Sequence, residues 1–393
     1  MPGESTGLME PMLPPDGNKH LEDLAMDLAS KGSALASTLH PIVRQSIGHL
    51  VRSMNCYYSN LIEGHDTHPR EIDRALAGDY SSDAKQRNLQ LEAKAHIEVQ
   101  ELIDAGQTPG KMPSSEFMRW AHREFCSRLP EQLLWVENPD TGEKLKVVPG
   151  EYRTTEVAVG KHIPPLAENL QRFISRFEQA YNPDNLSRLK QVIAIAASHH
   201  RLVWIHPFLD GNGRVVRLFS HAWLLDTGIG SSLWSVSRGL ARNVDEYKAR
   251  LMAADSPRRG DLDGRGTLSQ EELLKFCNFF LQTAIDQIEF MAKLLDTDNF
   301  LTRLKIHINE EVELKRLPKG SYNLLREAWL AGEFKRSRAE EITGYKERAA
   351  RDVLKALVEQ GYLVSDTPKG PVRLGFPIDA VERWFPRLYP TTI

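Results

Sequence analysis

Apolar residues recur at helical spacing along most of the chain. Over residues 20–105 and again over residues 184–297, leucine, isoleucine, valine and alanine fall three or four positions apart, with polar residues between them. This pattern predicts amphipathic helices that bury one face against each other. One of these helices, with Asp184 or Asn185 as its N-cap, ends just before His206, and the next runs to Gly228. The centre of the chain is therefore predicted to be a helical bundle.

Two segments depart from this pattern. Over residues 142–165, glycine and proline separate short β-branched runs, which predicts a small exposed β-hairpin or flap between helices. Beyond about Leu301, three short helical patterns are followed by two β-runs on either side of a Pro-Lys-Gly turn. That order of elements is typical of a winged helix-turn-helix domain.

These patterns divide the chain into four parts. Residues 1–20 are rich in proline, glycine and acidic side chains and are predicted to be a disordered tail. We expect an N-terminal helical region over 21–112, a helical core over 113–300 and a winged helix over 301–393. The predicted fold class is all-α with a small β-hairpin flap, followed by an α+β domain at the C-terminus.

Composition limits the classes of function. The 393 residues carry a formal net charge of −3, so the bulk charge does not call for nucleic acid or an anionic membrane as a partner. The three cysteines stand singly, without the paired spacing of zinc sites or disulfide frameworks. No run of about eighteen apolar residues occurs, and the N-terminus lacks a signal-peptide pattern, so we expect a cytoplasmic protein.

The stretch from His206 to Leu218 carries the strongest chemical signal. Arg214 and Arg217 lie three positions apart in the first turns of a helix, where the helix dipole disfavours cations. Glycines at the start of this helix permit close approach to its free N–H groups, which form an anion site. These features predict phosphate binding, and a solvated loop with a surface helix is the alternative. Asp210 offers a hard oxygen ligand for Mg²⁺, and His206 has the pKa range of a general base.

The same stretch resembles the Fic family motif, HPFx[D/E]GNGRxxR, at every fixed position. Members of this family have a helical fold, and most of those with the complete motif transfer AMP from ATP to a protein hydroxyl. The resemblance implies that His206 deprotonates a target serine, threonine or tyrosine and that Asp210 holds Mg²⁺ across the α- and β-phosphates. It also implies that Arg214 contacts the β-phosphate and Arg217 the γ-phosphate. The remaining phosphate contacts would come from Gly211, Asn212 and Gly213.

A second stretch, residues 59–64, resembles the inhibitory motif [S/T]xxxE[G/N] of the Fic class with an N-terminal inhibitory helix (class II). Ser59 and Glu63 are four positions apart, hence on one helix face, and Gly64 can end that helix. The resemblance implies that Glu63 pairs with Arg217, takes the place of the γ-phosphate and holds ATP in a pose unsuited to attack. A solvated glutamate at a helix end is the alternative interpretation.

Two further regions resemble the family more loosely. The flap of Fic proteins pairs with the backbone of the target segment. Its edge here would comprise Val157, Ala158, Val159 and Gly160. Residues 237–251 resemble the segment that closes the nucleotide pocket, which makes Asn243 and Tyr247 candidate ribose or adenine contacts. A helix N-cap and a packed tyrosine are equally good interpretations of these two residues.

Two metal-like patterns are weaker. Residues 261–272 imitate a calcium-binding loop, but Arg265 occupies a ligand position and no EF helix precedes it, so a loop connecting two helices is predicted. His199 and His200 do not form a common zinc arrangement with His206, and we expect them to pack in the interior or lie on the surface.

Other activities and partners stay open at this point. Basic residues of the predicted winged helix could contact DNA, although acidic neighbours weaken that interpretation, so protein contacts are an equal alternative. These basic residues are Lys346, Arg348, Arg351, Lys355, Lys369 and Arg373. Removal of AMP could outweigh its addition. The expected partners are ATP, Mg²⁺ and a protein with a hydroxyl side chain. Self-modification and a homodimer are further candidates, and a membrane is not expected.

Overall fold

The computed structural model describes residues 4–138 and 141–389, and within them the chain is mostly helical, as predicted. The helices are α1 Lys19–Ser37, α2 Pro41–Ile62, α3 Pro69–Leu76, α4 Ala84–Asp104, α5 Ser115–Cys126, α6 Leu170–Tyr181, α7 Arg188–Ile205, α8 Asn212–Asp226, α9 Val236–Arg242, α10 Val244–Ala254, α11 Gln270–Leu295, α12 Thr297–Glu313, α13 Ser321–Ala331, α14 Ala339–Thr343, α15 Glu347–Glu359 and α16 Ile378–Trp384. The strands are β1 Trp135–Glu137, β2 Lys144–Lys146, β3 Glu333–Phe334, β4 Leu363–Val364 and β5 Val372–Leu374. None of the helices in the described ranges combines the length and the hydropathy that a membrane crossing requires.

The chain forms two compact units. The first runs up to Ser33 and then from Asn55 to Gln287, and the second comprises Ala34 to Met54 and the residues from Ile288 onward. The divisions therefore fall within helices α1, α2 and α11. The predicted functional limits at residues 20, 112 and 300 stay predictions, because a compact structural unit and a functional domain are different divisions of the chain.

The core of the first unit is built around α7 and α8. These two helices pack along each other, α5 and α4 cover α8, and α6 covers α7. Helix α7 is rich in alanine and is buried on nearly all of its surface, which is typical of a helix at the centre of a bundle. Edge-to-face contacts between Phe117, Phe177 and Phe219 fill the space between α5, α6 and α8.

The start of α7 differs slightly from its predicted position. Asp184 and Asn185 belong to a short 3-10 turn, and the N-cap of α7 is Ser187, whose hydroxyl accepts a hydrogen bond from the Lys190 backbone N–H at 3.2 Å. Three residues of good capping type, Asp184, Asn185 and Ser187, lie close before this helix, and spacing alone cannot choose among them.

The prediction of a disordered N-terminal tail is wrong for residues 4–20. Met9 and Met12 are buried, and Glu10 forms an ion pair with Arg176. The hydroxyl of Tyr181 donates a hydrogen bond to the backbone carbonyl of Met12 at 2.6 Å. The low hydrophobicity of this segment predicted disorder. The segment is nevertheless ordered, because its two methionines are buried and because residues of α6 bind the Glu10 side chain and the Met12 carbonyl.

The predicted hairpin over residues 142–165 is only partly correct. Strands β1 and β2 pair antiparallel, with Val136 opposite Leu145, so most of the hairpin precedes the predicted segment. The later part carries a single β-bridge, between Val159 and His162, around Gly160. Gly160 has a φ of 60°, which its missing Cβ allows. The flap is therefore an open loop and not a two-stranded hairpin.

The second unit contains the predicted order of three helices and a strand pair. Helices α13, α14 and α15 pack together, and β4 pairs antiparallel with β5. Strand β3, which the sequence pattern did not indicate, completes a sheet of order β3-β5-β4, and α16 packs on α12. The helical and strand content is as expected, and assignment to the winged-helix class stays a prediction.

The basic residues of this unit are partly neutralised by their own neighbours. On α15, Arg351 lies 2.5 Å from Glu347 and Lys355 lies 3.7 Å from Glu359, while Arg373 of β5 contacts Asp366 at 2.7 Å. Exposed pairs of this kind are weak and can exchange partners. DNA binding therefore stays a prediction, and a mobility-shift assay without ATP tests it.

Candidate functional site

The loop between α7 and α8 is bounded by two residues with left-handed backbone. His206 ends α7 with a φ of 49°, and Gly211 begins α8 with a φ of 79°. A left-handed conformation costs a residue with a Cβ about 1–2 kcal/mol, so the surrounding contacts must hold His206 in place. The Fic-like motif thus forms a tight reversal that brings the end of one buried helix to the start of another.

Asn212 closes this loop from inside. Its side-chain oxygen accepts a hydrogen bond from the Phe208 backbone N–H at 2.9 Å, and its amide nitrogen donates to the Phe208 carbonyl at 2.8 Å. Phe208 is fully buried, so its side chain anchors the loop in the core. The Asn212 amide nitrogen has a second N–H, so the contact of this side chain with phosphate stays a prediction.

His122 is a part of the site that the sequence did not reveal. It stacks on Phe208 with ring centroids 4.0 Å apart, accepts a hydrogen bond from the Gly150 backbone N–H at 2.9 Å, and reaches the Asp210 carbonyl at 3.2 Å. Burial lowers the pKa of His122 to about 4, so the ring is neutral and Nε2 is the donor to Asp210. A single histidine on the buried face of α5 gives no sequence signal for this role.

His206 is in the form that a general base requires. Burial, and next the positive charge of Arg153, lower the pKa of His206 to about 4. The imidazole is therefore neutral at pH 7 and able to accept a proton.

Asp210 offers a carboxylate for a cation. The residue is exposed, and within the described ranges no hydrogen bond or ion pair occupies its carboxylate, while its backbone carbonyl is fixed by His122. No cluster of three or more His, Cys, Asp or Glu residues with the geometry of a metal site occurs in residues 4–138 and 141–389. A lone carboxylate suits Mg²⁺, which is commonly held by one or two carboxylates together with water and substrate phosphates.

Arg214 is held by two residues of the N-terminal helical region. One of its terminal nitrogens lies 3.3 Å from the Glu92 carboxylate and 3.0 Å from Nδ1 of His65. Its guanidinium lies over the ring of Phe125, 5.2 Å from the centroid. Both Arg214 and Glu92 are buried. Glu92 was not identified from the sequence, since a glutamate in a polar helix normally faces water.

Arg217 is in contact with Ser59 and Glu63, the two polar residues that carry the resemblance to an inhibitory motif. Its Nε donates to the Ser59 hydroxyl at 2.8 Å, and one terminal nitrogen donates to the Ser59 carbonyl at 3.1 Å and to the Glu63 carboxylate at 2.5 Å. A Cβ on Gly213 would collide with the Glu63 carboxylate in its present position, so the glycine lets this carboxylate lie close against the first turn of α8. Burial is the largest single effect on Glu63 and opposes its ionisation, but the charge and hydrogen bond of Arg217, together with the charges of Arg214 and His65, outweigh it and lower the pKa of Glu63.

The two candidate pocket-closing residues have other contacts. Tyr247 is buried, and its hydroxyl lies 2.7 Å from Nε2 of His199, which in turn contacts the Ser220 hydroxyl at 2.8 Å. Tyr247 and His199 are thus packed residues. Asn243 is exposed and precedes α10, but its side chain does not cap that helix and donates instead to the Gly239 carbonyl at 3.0 Å. Direct nucleotide contacts by these two residues stay predictions.

The predicted flap edge and the calcium-like segment are the remaining site features. In the flap, Val157 is half-buried, whereas Ala158, Val159 and Gly160 are exposed. The calcium-like segment connects α10 to α11, as predicted, and its Asp263 accepts hydrogen bonds from the Arg259 and Glu271 backbone N–H groups. That carboxylate stabilises the loop itself.

Comparisons with known proteins point to the same region. A sequence model of the Fic/DOC family matches residues 114–224, which extend from the start of α5 nearly to the end of α8. The protein adenylyltransferases Fic of Drosophila erecta and Drosophila melanogaster are each 44% identical to this chain over 79 residues. That match covers 20% of this chain and 16% of those proteins, so it spans about a sixth of the relatives' length.

Solved structures share the fold over a longer part of the chain. A Fic family protein from Desulfovibrio desulfuricans G20 has a TM-score of 0.53 at 16% identity and covers 92% of this chain and 98% of its own. Fic-1 of C. elegans, residues 134–508, has a TM-score of 0.52 at 15% identity and covers 71% of this chain and 73% of its own. Together with the complete motif and the helical fold, these matches show that residues 114–224 of the chain form a Fic domain.

Proposed function

We propose that this protein is a cytoplasmic protein adenylyltransferase that moves AMP from ATP to a serine, threonine or tyrosine hydroxyl of another protein. The observation that supports the proposal best is the geometry of the α7–α8 loop. A neutral His206 lies at one end of this loop and the start of α8 lies at the other. The similarity of this region to the Drosophila proteins called adenylyltransferases supports it.

The chemistry assigned to this site needs one base and one phosphate cradle. His206 takes the proton of the attacking hydroxyl, whose oxygen forms a bond to the α-phosphorus. The bond between the α-phosphorus and the oxygen bridging to the β-phosphate breaks, and pyrophosphate leaves. The first backbone N–H groups of α8 have no partners within the helix and point at the phosphates. Asp210 would hold Mg²⁺, which when bound neutralises phosphate charge.

The two arginines of α8 supply further positive charge. Arg214 and Arg217 are buried and already oriented by hydrogen bonds, so their side chains need little ordering when phosphates arrive. To contact the γ-phosphate, Arg217 must give up Glu63. We therefore infer that the Glu63 contact restrains the enzyme, as the class II motif implies, and that the protein is autoinhibited.

Replacing Asp210 by alanine should reduce AMP transfer at least tenfold, because the substrate phosphates lose the cation that this carboxylate holds. Labelling of protein with α-³²P-ATP measures the loss, and EDTA should have the same effect on the wild type. Asp226→Ala is the matched control, since it removes an exposed acid from the other end of α8. Labelling that survives chelation would show that Asp210 has a different role.

The acid limb of the pH–rate profile should lie well below the usual histidine range. Because burial and Arg153 lower the pKa of His206 to about 4, the base stays unprotonated as the pH falls from 8 to about 5. We expect kcat/KM for labelling to change little over this interval and to fall only nearer pH 4, with circular dichroism verifying the fold at each pH. Loss of half the activity near pH 6.5 would instead indicate an unperturbed base.

A further inference from the structure

Arg153 lies between the motif loop and the flap, and its side chain is completely buried. Its backbone N–H donates to the carbonyl of Pro207 at 2.9 Å, so the main chain of the flap segment is attached directly to the motif. The residue belongs to the predicted flap region, but the sequence interpretation gave it no role.

The guanidinium of Arg153 binds three backbone carbonyls at once. Nε donates to the His206 carbonyl at 2.9 Å, one terminal nitrogen donates to the Thr155 carbonyl at 3.0 Å, and the other donates to the Pro165 carbonyl at 2.5 Å. Thr155 and Pro165 are the two ends of the exposed loop that contains the predicted target-binding edge. One side chain therefore joins both ends of the flap to the backbone of the proposed base.

The loop between these two ends has few other anchors. It contains the single bridge from Val159 to His162, and the His162 ring contacts the Trp204 carbonyl at 2.7 Å. Val159 and Ile163 expose 40% and 78% of their surface, although both are large apolar residues. An apolar surface on a loop with so few internal hydrogen bonds needs an external support to keep one conformation.

We propose that Arg153 is a positioning residue that fixes the flap relative to His206 and thereby favours a protein hydroxyl as acceptor over water. A guanidinium, with three nitrogens that donate in fixed directions, can bind three separate carbonyls at once, whereas an ammonium on a flexible stem cannot reproduce that geometry. The nearest acid, Glu156, lies 3.6 Å away, and its carboxylate also accepts from the Ala167 backbone N–H at 3.1 Å. The principal partners of Arg153 are thus carbonyls, which set distances between chain segments.

This inference rests on the proposed function and makes a prediction that the function alone does not make. Arg153→Lys keeps the positive charge but loses the fixed set of guanidinium N–H donors, and Arg153→Met loses both the charge and the donors. In both variants we expect labelling of protein by α-³²P-ATP to fall at least tenfold. Release of AMP to water and the affinity for ATP should change less than about threefold, because water needs no flap and the phosphate contacts lie on α8.

The experiment compares three readouts in the wild-type and Glu63→Gly backgrounds: protein labelling, AMP release from ATP, and binding of a fluorescent ATP analogue. Hydrogen exchange over residues 155–165 adds a measurement that does not depend on activity, and faster exchange confined to that loop is expected. Arg119→Met is the matched control, since Arg119 donates to the Gly150 carbonyl at 2.8 Å from a half-exposed position and touches neither end of the flap.

Two results would overturn the inference. Unchanged labelling and unchanged exchange in Arg153→Lys would show that the flap does not depend on this side chain. A parallel loss of labelling and AMP release would show that Arg153 acts on His206 or on the fold. If Arg153→Met does not fold, Arg153→Lys with a native circular dichroism spectrum decides the question. Absence of AMP transfer in the parent proteins would contradict the proposed function instead.

Discussion

Replacing His206 by alanine is expected to abolish AMP transfer and to leave ATP binding almost unchanged. General-base catalysis contributes about 10²- to 10⁴-fold, and no other histidine occupies the head of the motif loop. The proposed phosphate contacts lie on α8, beyond the substituted side chain, so affinity for ATP should stay within about threefold. Protein labelling with α-³²P-ATP and binding of a fluorescent ATP analogue measure the two effects.

The comparison needs a fold control, because His206 has an unusual backbone conformation. His20→Ala changes an exposed histidine at the start of α1 and should label protein like the wild type. His206→Asn, whose short polar side chain tolerates the left-handed region better than alanine, should be as inactive as His206→Ala. Labelling at the wild-type rate by either His206 variant would show that His206 is not the general base.

Replacing Glu63 by glycine is expected to raise AMP transfer at least tenfold. The Arg217 side chain is 2% exposed and that of Glu63 is 34% exposed, so the pair is partly desolvated. A charge-assisted hydrogen bond is worth about 1.5–3 kcal/mol, and partial exposure favours the lower end, which corresponds to about tenfold. Removing the acid frees Arg217 for the γ-phosphate. Self-labelling and labelling of lysate proteins, followed by mass spectrometry, measure the gain.

Two further variants separate inhibition from a general effect of glycine. Glu63→Gly combined with Arg217→Ala should lose the gain, because the γ-phosphate then has no arginine. Asp79→Gly is the matched control: this acid also follows a helix and pairs with an arginine, Arg74, at 2.7 Å, but the pair is exposed. Equal labelling by Glu63→Gly and the wild type would show that Glu63 is an ordinary acid at a helix end and does not inhibit the enzyme.

The same variant tests the direction of the reaction. Some Fic proteins remove AMP with the help of their inhibitory glutamate. If this protein mainly removes AMP, the resemblance implies the same use of Glu63, and Glu63→Gly should release AMP from a labelled protein more slowly than the wild type. Faster labelling with unchanged release would favour addition of AMP as the main activity.

The local parts of the site could be predicted from the sequence. Helices α7 and α8 follow from apolar spacing, and Gly211 supplies the left-handed backbone at the start of α8. The acid, the two arginines and the histidine of the motif lie within a stretch of twelve residues, so their order along the chain already restricts their geometry. The mostly helical fold was predictable for the same reason, because helical hydrogen bonds join residues four positions apart.

Only the tertiary structure revealed the residues that support the motif from a distance. His122 reaches Asp210 across 88 positions and Glu92 reaches Arg214 across 122, and neither residue type nor spacing signals these contacts. The N-terminal segment was predicted to be disordered because its few apolar residues cannot form a core of their own, yet Met9 and Met12 pack against the rest of the first unit.

The difference has one physical reason. Helix spacing and glycine conformation are properties of a few consecutive residues, which the sequence states directly. The burial of Arg153, Glu92 and His122 depends instead on which helices meet and which backbone carbonyls and charges they bring together. The sequence by itself therefore determined the helices and the chemical groups of the motif, and the packing of the bundle decided which distant residues hold those groups in place.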